Sequence, residues 1–180
     1  GRFLAALHNK RGFNRLGCDY LLLTILTGAR KEETATLCWR EALTEEEVRT
    51  TSYVDLENRV IRFYDTKNRN DHELPICDAT ILEDRRDIVN DTEIRADKRK
   101  WVFPACSSRS KVGHYSDSKS LREYICQEAG IMKLGMHDLR RTFGRVAEEL
   151  TSYAVVKRLL NHRNTTDPTE RYAEPDNERV

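Results

Sequence analysis

The chain has 180 residues and a mass of 21.0 kDa, enough for one sizeable hydrophobic core. Lys and Arg number 31 against 30 Asp and Glu, a formal net charge of +1, so overall charge singles out neither nucleic acid nor a membrane surface as partner. At 38% hydrophobic and 34% charged, with only short apolar runs, the composition is that of a globular chain without a bilayer-spanning segment.

Cys18, Cys38, Cys77, Cys106 and Cys126 are widely spaced and form no C-x-x-C pair. This odd set argues against a disulfide framework or a zinc ribbon and for a reducing, cytoplasmic location. The sequence opens Gly1-Arg2-Phe3, without Met or a signal-peptide pattern. It is read as a single domain over residues 1–180 and as a piece of a longer protein.

Apolar spacing predicts helices over Phe3–Asn9 and Cys18–Leu26, the second burying a stripe of Leu21, Leu22, Ile25 and Leu26. Thr27-Gly28 breaks that run, and a further helix is expected over Arg30–Cys38 with Thr34, Leu37 and Cys38 inward, which puts Arg30 at a helix start just past a tight turn. From Thr51 the period changes to that of strands. Val54 and Leu56, Val60-Ile61 and Phe63, and His72–Ile76 with an edge-compatible Pro75 predict a small three-stranded antiparallel sheet. Ala79–Val89 reads as a surface helix, Asp91–Lys100 as a charged connection and Trp101–Pro104 as a short extended piece. Helices are expected over Asp117–Glu128, His137–Leu150, Tyr153–Leu160 and briefly Thr169–Ala173. The fold class is therefore α+β, mainly helical.

Charge is uneven along the chain. Residues 109–145 hold eight basic against four acidic side chains, a balance of +4, whereas residues 83–97 hold three against six, −3. A basic half opposite an acidic one is compatible with a polyanion on one side.

Candidate chemistry concentrates in Met136-His137-Asp138-Leu139-Arg140-Arg141-Thr142-Phe143. His137 and Arg140 at i and i+3 share a helix face and suit one anionic group, with Leu139 and Phe143 on a different, apolar face. Further on, Leu159-Leu160-Asn161-His162 reads as a helix stop with Asn161 left-handed, which fixes the direction of His162. Tyr172 follows ten residues later.

The set Arg30, Lys67, His137, Arg140, His162 and Tyr172 resembles the catalytic domain of the tyrosine recombinases, the phage integrase family. Thr27–Leu37 is similar to its first arginine motif, His137–Phe143 to its His-x-x-Arg box, Leu160-Asn161-His162 with Tyr172 to its last His and nucleophile, and Thr66-Lys67-Asn68 to its hairpin lysine. Asn161 stands where that family usually has Gly. The family's separate N-terminal DNA-binding domain is not among these residues.

The resemblance implies metal- and ATP-independent transesterification on double-stranded DNA, with a 3′-phosphotyrosyl intermediate on Tyr172. Arg30 and Arg140 would hold the phosphate as planar forks, Arg30 being oriented by Glu33. Lys67 would protonate the leaving 5′-oxygen, with Arg69 the competing choice. The roles of His137 and His162 stay open between proton transfer and phosphate donation, and His72 reads as hairpin support. Tyr153 competes with Tyr172 but reads as core.

Arg69, Arg109, Lys111, Lys119, Arg122 and Arg141 are the candidates for DNA contacts. The implied assembly is a tetramer of this chain on two duplexes, with accessory DNA-bending proteins, for prophage or genomic-island integration. A non-catalytic DNA-binding module and a type IB topoisomerase-like relaxing enzyme are the rival readings.

Overall fold

The computed structural model describes residues 1–67, 70–77, 80–91, 98–105, 110–116 and 118–161. Helix α2 (Arg15–Thr27) is its hub and touches α1 (Arg2–Arg11), α3 (Lys31–Ala35), α5 (Thr80–Asp91), α6 (Lys119–Glu128) and α7 (Met136–Leu150). Helices so surrounded bury more than one stripe. Accordingly Cys18, Asp19, Tyr20, Leu21, Leu23 and Thr24 are all buried, while Leu26, expected inside, is 56% exposed, and Leu22 and Ile25 are only partly covered. Leu21 on α2 and Leu139 on α7 have no exposed surface, each stabilising the core by about 1.5–3 kcal/mol.

Asp19 is fully buried within this core and is matched by arginines from three helices. Arg11 of α1 donates to it through Nε at 2.6 Å, and Arg15 of α2 and Arg85 of α5 lie at 3.8 and 4.0 Å. Arg85 is itself 3% exposed, and its Nε donates to the carbonyl oxygen of Val102. Leu82 and Arg85 thus turn inward, and α5 is more than the surface helix its charge pattern predicts. A buried carboxylate is tolerated only when paired in this way.

The sheet corrects the sequence reading. It has four strands in the order β1 (Cys38–Trp39), β2 (Tyr53–Asp55), β3 (Val60–Phe63), β4 (His72–Pro75), and β1 runs parallel to β2 while the other pairs are antiparallel. The extra strand is the expected end of the Arg30–Cys38 helix. Leu37, Cys38 and Trp39 are consecutive and all at most 3% exposed, a pattern that a helix with one outer face cannot offer. Extended backbone accommodates them. Cys38 N–H donates to Ser52 O (3.0 Å), Trp39 N–H to Lys100 O (2.9 Å), and Val102 N–H to Leu37 O (2.9 Å).

Val54, Ile61 and Leu74 align across β2, β3 and β4 as the inner row of the sheet, each at most 6% exposed. Asp55 closes the β2–β3 turn by accepting from Asn58 N–H and Nδ2, both at 2.9 Å, with Arg59 at φ +53°. Pro75 lies on edge strand β4, where a missing N–H costs no ladder bond.

The remaining elements are a 3-10 turn at Arg40–Ala42, α4 (Glu45–Val48) and α8 (Tyr153–Leu159). Phe143, Ala147, Val156 and Leu160 form a small apolar cluster between α7 and α8. Tyr153, expected in the core, is instead 65% exposed, with the Lys157 ammonium 4.8 Å from its ring centre. No helix among the described residues is long and apolar enough to cross a membrane. The expected Thr169–Ala173 helix lies outside the described residues.

Candidate active site

The turn between α2 and α3 is built by local hydrogen bonds. Gly28 takes the left-handed conformation (φ +64°) at the end of α2 and donates to Thr24 O at 3.0 Å, while Thr27 Oγ1 accepts from Ala29 N–H at 3.2 Å. A side chain at Gly28 would collide, because a Cβ there meets Phe143 Cδ1 at 2.5 Å. Arg30 follows in extended conformation as the residue before α3. Glu33 holds it twice, accepting from the Arg30 main-chain N–H at 2.7 Å and from Nη1 at 2.6 Å. The carboxylate thereby caps the helix start and orients the guanidinium; the second use is the one expected from the sequence.

Arg140 comes from the second turn of α7. That helix is started by Asp138, whose carboxylate accepts from Gly135 N–H at 2.7 Å. Arg140 is only 6% exposed, and its two terminal nitrogens donate to the carbonyls of Gly28 (2.6 Å) and Leu160. Gly28 ends α2 and Leu160 ends α8. One guanidinium therefore joins the C-terminal ends of two helices, where carbonyls lack intrahelical partners and the helix dipole is negative.

The Arg140 pKa is brought down to about 10, first by burial and then by the positive charge of Arg30, with Glu33 opposing the shift. The two guanidinium groups thus sit within electrostatic reach of each other, and Arg140 stays charged at neutral pH.

His137, one turn before Arg140, is exposed at the α7 start, so the two share a helix side but differ in depth. Lys67 is exposed in the turn after β3, next to Thr66, which is 4% exposed. His162 and Tyr172 lie outside the described residues. The structure therefore brings Arg30 and Arg140 together, and places Lys67 on a loop bonded to the end of α8 through Thr66.

Three contacts at the end of α8 have no signal in the sequence. His72 on β4 bonds through Nε2 to Leu159 O at 3.0 Å, Arg140 takes the next carbonyl, and Asn161 Nδ2 donates to Thr66 Oγ1 at 2.8 Å. Asn161 is left-handed at φ +46°, as its position after the helix suggests. His72 stacks on Phe63 at 6.2 Å between ring centres. Its pKa is lowered from 6.5, first by burial, while the Leu159 bond and Glu33 oppose this and Arg140 and Arg30 add to it. A histidine three residues before an edge-strand proline offers no sequence pattern for such a role.

Tyr20 is poorly suited to nucleophilic attack. It is 1% exposed, donates to Lys31 O, and has its phenol pKa pushed up by burial. Among the candidates for DNA contacts, Lys111, Lys119 and Arg141 are exposed, the last with Asp138 at 3.5 Å. Arg122 donates instead to Leu134 O and to Ser118 Oγ, tying the α6–α7 connection. Arg69 and Arg109 lie outside the described residues.

A mainly helical domain with a small sheet and two guanidinium groups at a helix-end junction has the catalytic-domain architecture of a tyrosine recombinase. The model of the phage integrase family matches residues 4–179, and the chain belongs to that family. Prophage integrase IntF of Escherichia coli (strain K12) is 26% identical over 151 residues, covering 83% of this chain and 29% of that protein.

The fold is also that of XerH site-specific recombinase bound to difH substrate in a pre-cleavage complex, with a TM-score of 0.60 at 19% identity over 94% of this chain and 46% of that one. XerA recombinase gives 0.60 at 17% identity, with 89% and 54% covered. The Tn1549 transposon integrase in complex with circular intermediate DNA gives 0.54 at 16%, with 95% and 58% covered. The chain thus spans less than a third of the curated relative and about half of these structures.

Proposed function

We propose that this chain is the catalytic part of a site-specific DNA recombinase, serving prophage or genomic-island integration in the cytoplasm. Its substrate is double-stranded DNA, and its working form is a tetramer across two duplexes, aided by DNA-bending proteins. The observation that carries this reading is the Arg30–Arg140 pair: one fork oriented by Glu33, the other buried and anchored on the carbonyls of Gly28 and Leu160.

In the proposed reaction the Tyr172 hydroxyl attacks phosphorus, the bond to the 5′-oxygen breaks, and a 3′-phosphotyrosyl link forms. The 5′-oxygen leaves as a hydroxyl with a proton from Lys67, and a 5′-hydroxyl later attacks in reverse, so the bond energy is conserved without ATP. Negative charge building on the non-bridging oxygens is met by the two guanidinium groups, already oriented before the substrate arrives. The Tyr172 proton passes to one of the two histidines, His137 or His162, and the other donates to a non-bridging oxygen. DNA affinity rests on phosphate contacts by exposed Lys and Arg and weakens with salt.

The test is incubation of the intact protein with a randomised pool of nicked duplexes, whose short 5′-hydroxyl fragment diffuses away, followed by denaturing gels of wild type and Tyr172→Phe. A covalent adduct lost in Tyr172→Phe supports the reading. An adduct that persists in the variant sinks Tyr172 as nucleophile. Salt-sensitive binding without any adduct favours a DNA-binding module, and site-independent relaxation of supercoils favours topoisomerase-like action.

A further inference from the structure

The loop that carries Lys67 is closed at its base and tied to another part of the chain. Thr66 Oγ1 donates to the Asn70 carbonyl oxygen at 2.9 Å, and Thr66 N–H reaches the same oxygen at 3.3 Å. With its proton given to Asn70, Thr66 Oγ1 serves as acceptor for Asn161 Nδ2, 95 residues further on, at 2.8 Å. The result is a directed relay: Asn161 amide, Thr66 hydroxyl, Asn70 carbonyl. Thr66 is 4% exposed although Lys67 and Asn70 are exposed and Asn161 is half-buried, so its hydroxyl, the middle of the relay, is shielded from competing water.

Glycine would satisfy the φ of +46° at Asn161 with less strain. The conformation alone therefore does not account for asparagine. Its amide supplies the donor that reaches the hairpin loop, and it does so from the residue that immediately precedes His162.

We propose that Asn161 is a positioning residue that, through Thr66, holds the Lys67 loop against the end of α8, so that the leaving-group acid is presented from a fixed base. This rests on the reading of Lys67 as the acid. It predicts that the Asn161–Thr66 bond matters for departure of the 5′-oxygen and not for DNA affinity.

The experiment is single-turnover cleavage by the intact protein carrying Asn161→Asp, Asn161→Gly, Thr66→Val or Thr66→Ser, each with two substrates. One has the natural 5′-oxygen leaving group, and the other a 5′-bridging sulfur, which departs as a thiolate and needs no proton. Asn161→Asp removes the amide donor, and Thr66 meets the new carboxylate only by withdrawing its proton from the Asn70 carbonyl; Asn161→Gly keeps the positive φ without a side chain, and Thr66→Val removes the hydroxyl at similar volume.

The first three variants should cleave the natural substrate about tenfold more slowly, the loss expected for one hydrogen bond that positions a reacting group. DNA affinity should stay unchanged, Thr66→Ser should act as wild type, and the sulfur substrate should erase the deficit. Equal slowing on both substrates, or wild-type rates throughout, overturns the proposal. If wild type forms no adduct, the catalytic reading itself has failed. Amide exchange then decides the tether: faster exchange in peptides spanning Tyr64–Leu74 of Asn161→Gly upholds it, and unchanged exchange there overturns it.

Discussion

The Arg140 guanidinium donates to the carbonyl oxygen of Gly28, 112 residues earlier, at 2.6 Å. That carbonyl is aimed by a left-handed residue whose φ is +64° and whose missing Cβ would lie 2.5 Å from Phe143 Cδ1 and 2.9 Å from Leu160 Cδ2. Gly28 is thus a backbone device for directing the Arg140 guanidinium as much as a helix terminator.

Gly28→Ala is expected to destabilise the protein by about 2–5 kcal/mol. The left-handed conformation contributes roughly 1–2 of this for a residue with a Cβ, and overpacking against Phe143 and Leu160 contributes roughly 1–3. Urea unfolding should show the shift as a lower midpoint at unchanged slope. A loss below about 1 kcal/mol would mean that the α2 end is not packed as closely as the structure has it.

Arg140→Lys keeps the charge but cannot send two terminal nitrogens to Gly28 O and Leu160 O while leaving further N–H groups for a phosphate. One carbonyl at a helix end is left unpaired in a buried setting, costing about 1–3 kcal/mol of stability. Cleavage should fall by about 10²–10³, as for the loss of an oriented transition-state donor, with DNA affinity little changed. Single-turnover cleavage and equilibrium binding, measured side by side, check this. Activity within tenfold of wild type would show that a point charge suffices.

Much of this site is legible in the sequence because its local parts obey local rules. The break at Thr27-Gly28, Arg30 at a helix start with Glu33 one turn on, the i, i+3 spacing of His137 and Arg140, and a left-handed Asn161 all follow from helix geometry and capping. Features decided by distant neighbours do not read in the same way. Cys38 continues an apparent helix in sequence, yet pairs in parallel with Tyr53 and bridges to Trp101, partners that only the folded chain supplies. Leu26 fits the apolar stripe of α2 but falls where no other described element covers it. Tyr153 has core-like neighbours, and the short α8 buries Val156 instead. His72 reads only as hairpin support because its partner, Leu159 O, lies 87 residues away.

His72 gives the site a defined response to acid. A carbonyl oxygen only accepts, so the 3.0 Å contact to Leu159 O assigns the proton of the neutral ring to Nε2 and leaves Nδ1 to titrate. Burial holds the folded pKa below 6.5; Arg140 and Arg30 add to that effect, while the Leu159 bond and Glu33 oppose it. The unfolded chain therefore takes up this proton more readily than the folded one. The His72 contribution to stability is fully present above the unfolded value and is lost as pH falls through the folded one.

His72→Gln retains an N–H donor for Leu159 and removes the titration. Between about pH 7.5 and pH 5, wild type should lose more unfolding free energy than His72→Gln, and the His72 ring protons should titrate below 6.5 in NMR spectra. The comparison isolates this residue because the carboxylates and the other histidines are common to both proteins. If the variant loses as much stability as wild type over that range, the ring is not held neutral by its setting, and the end of α8 is secured by Arg140 and Asn161 without it.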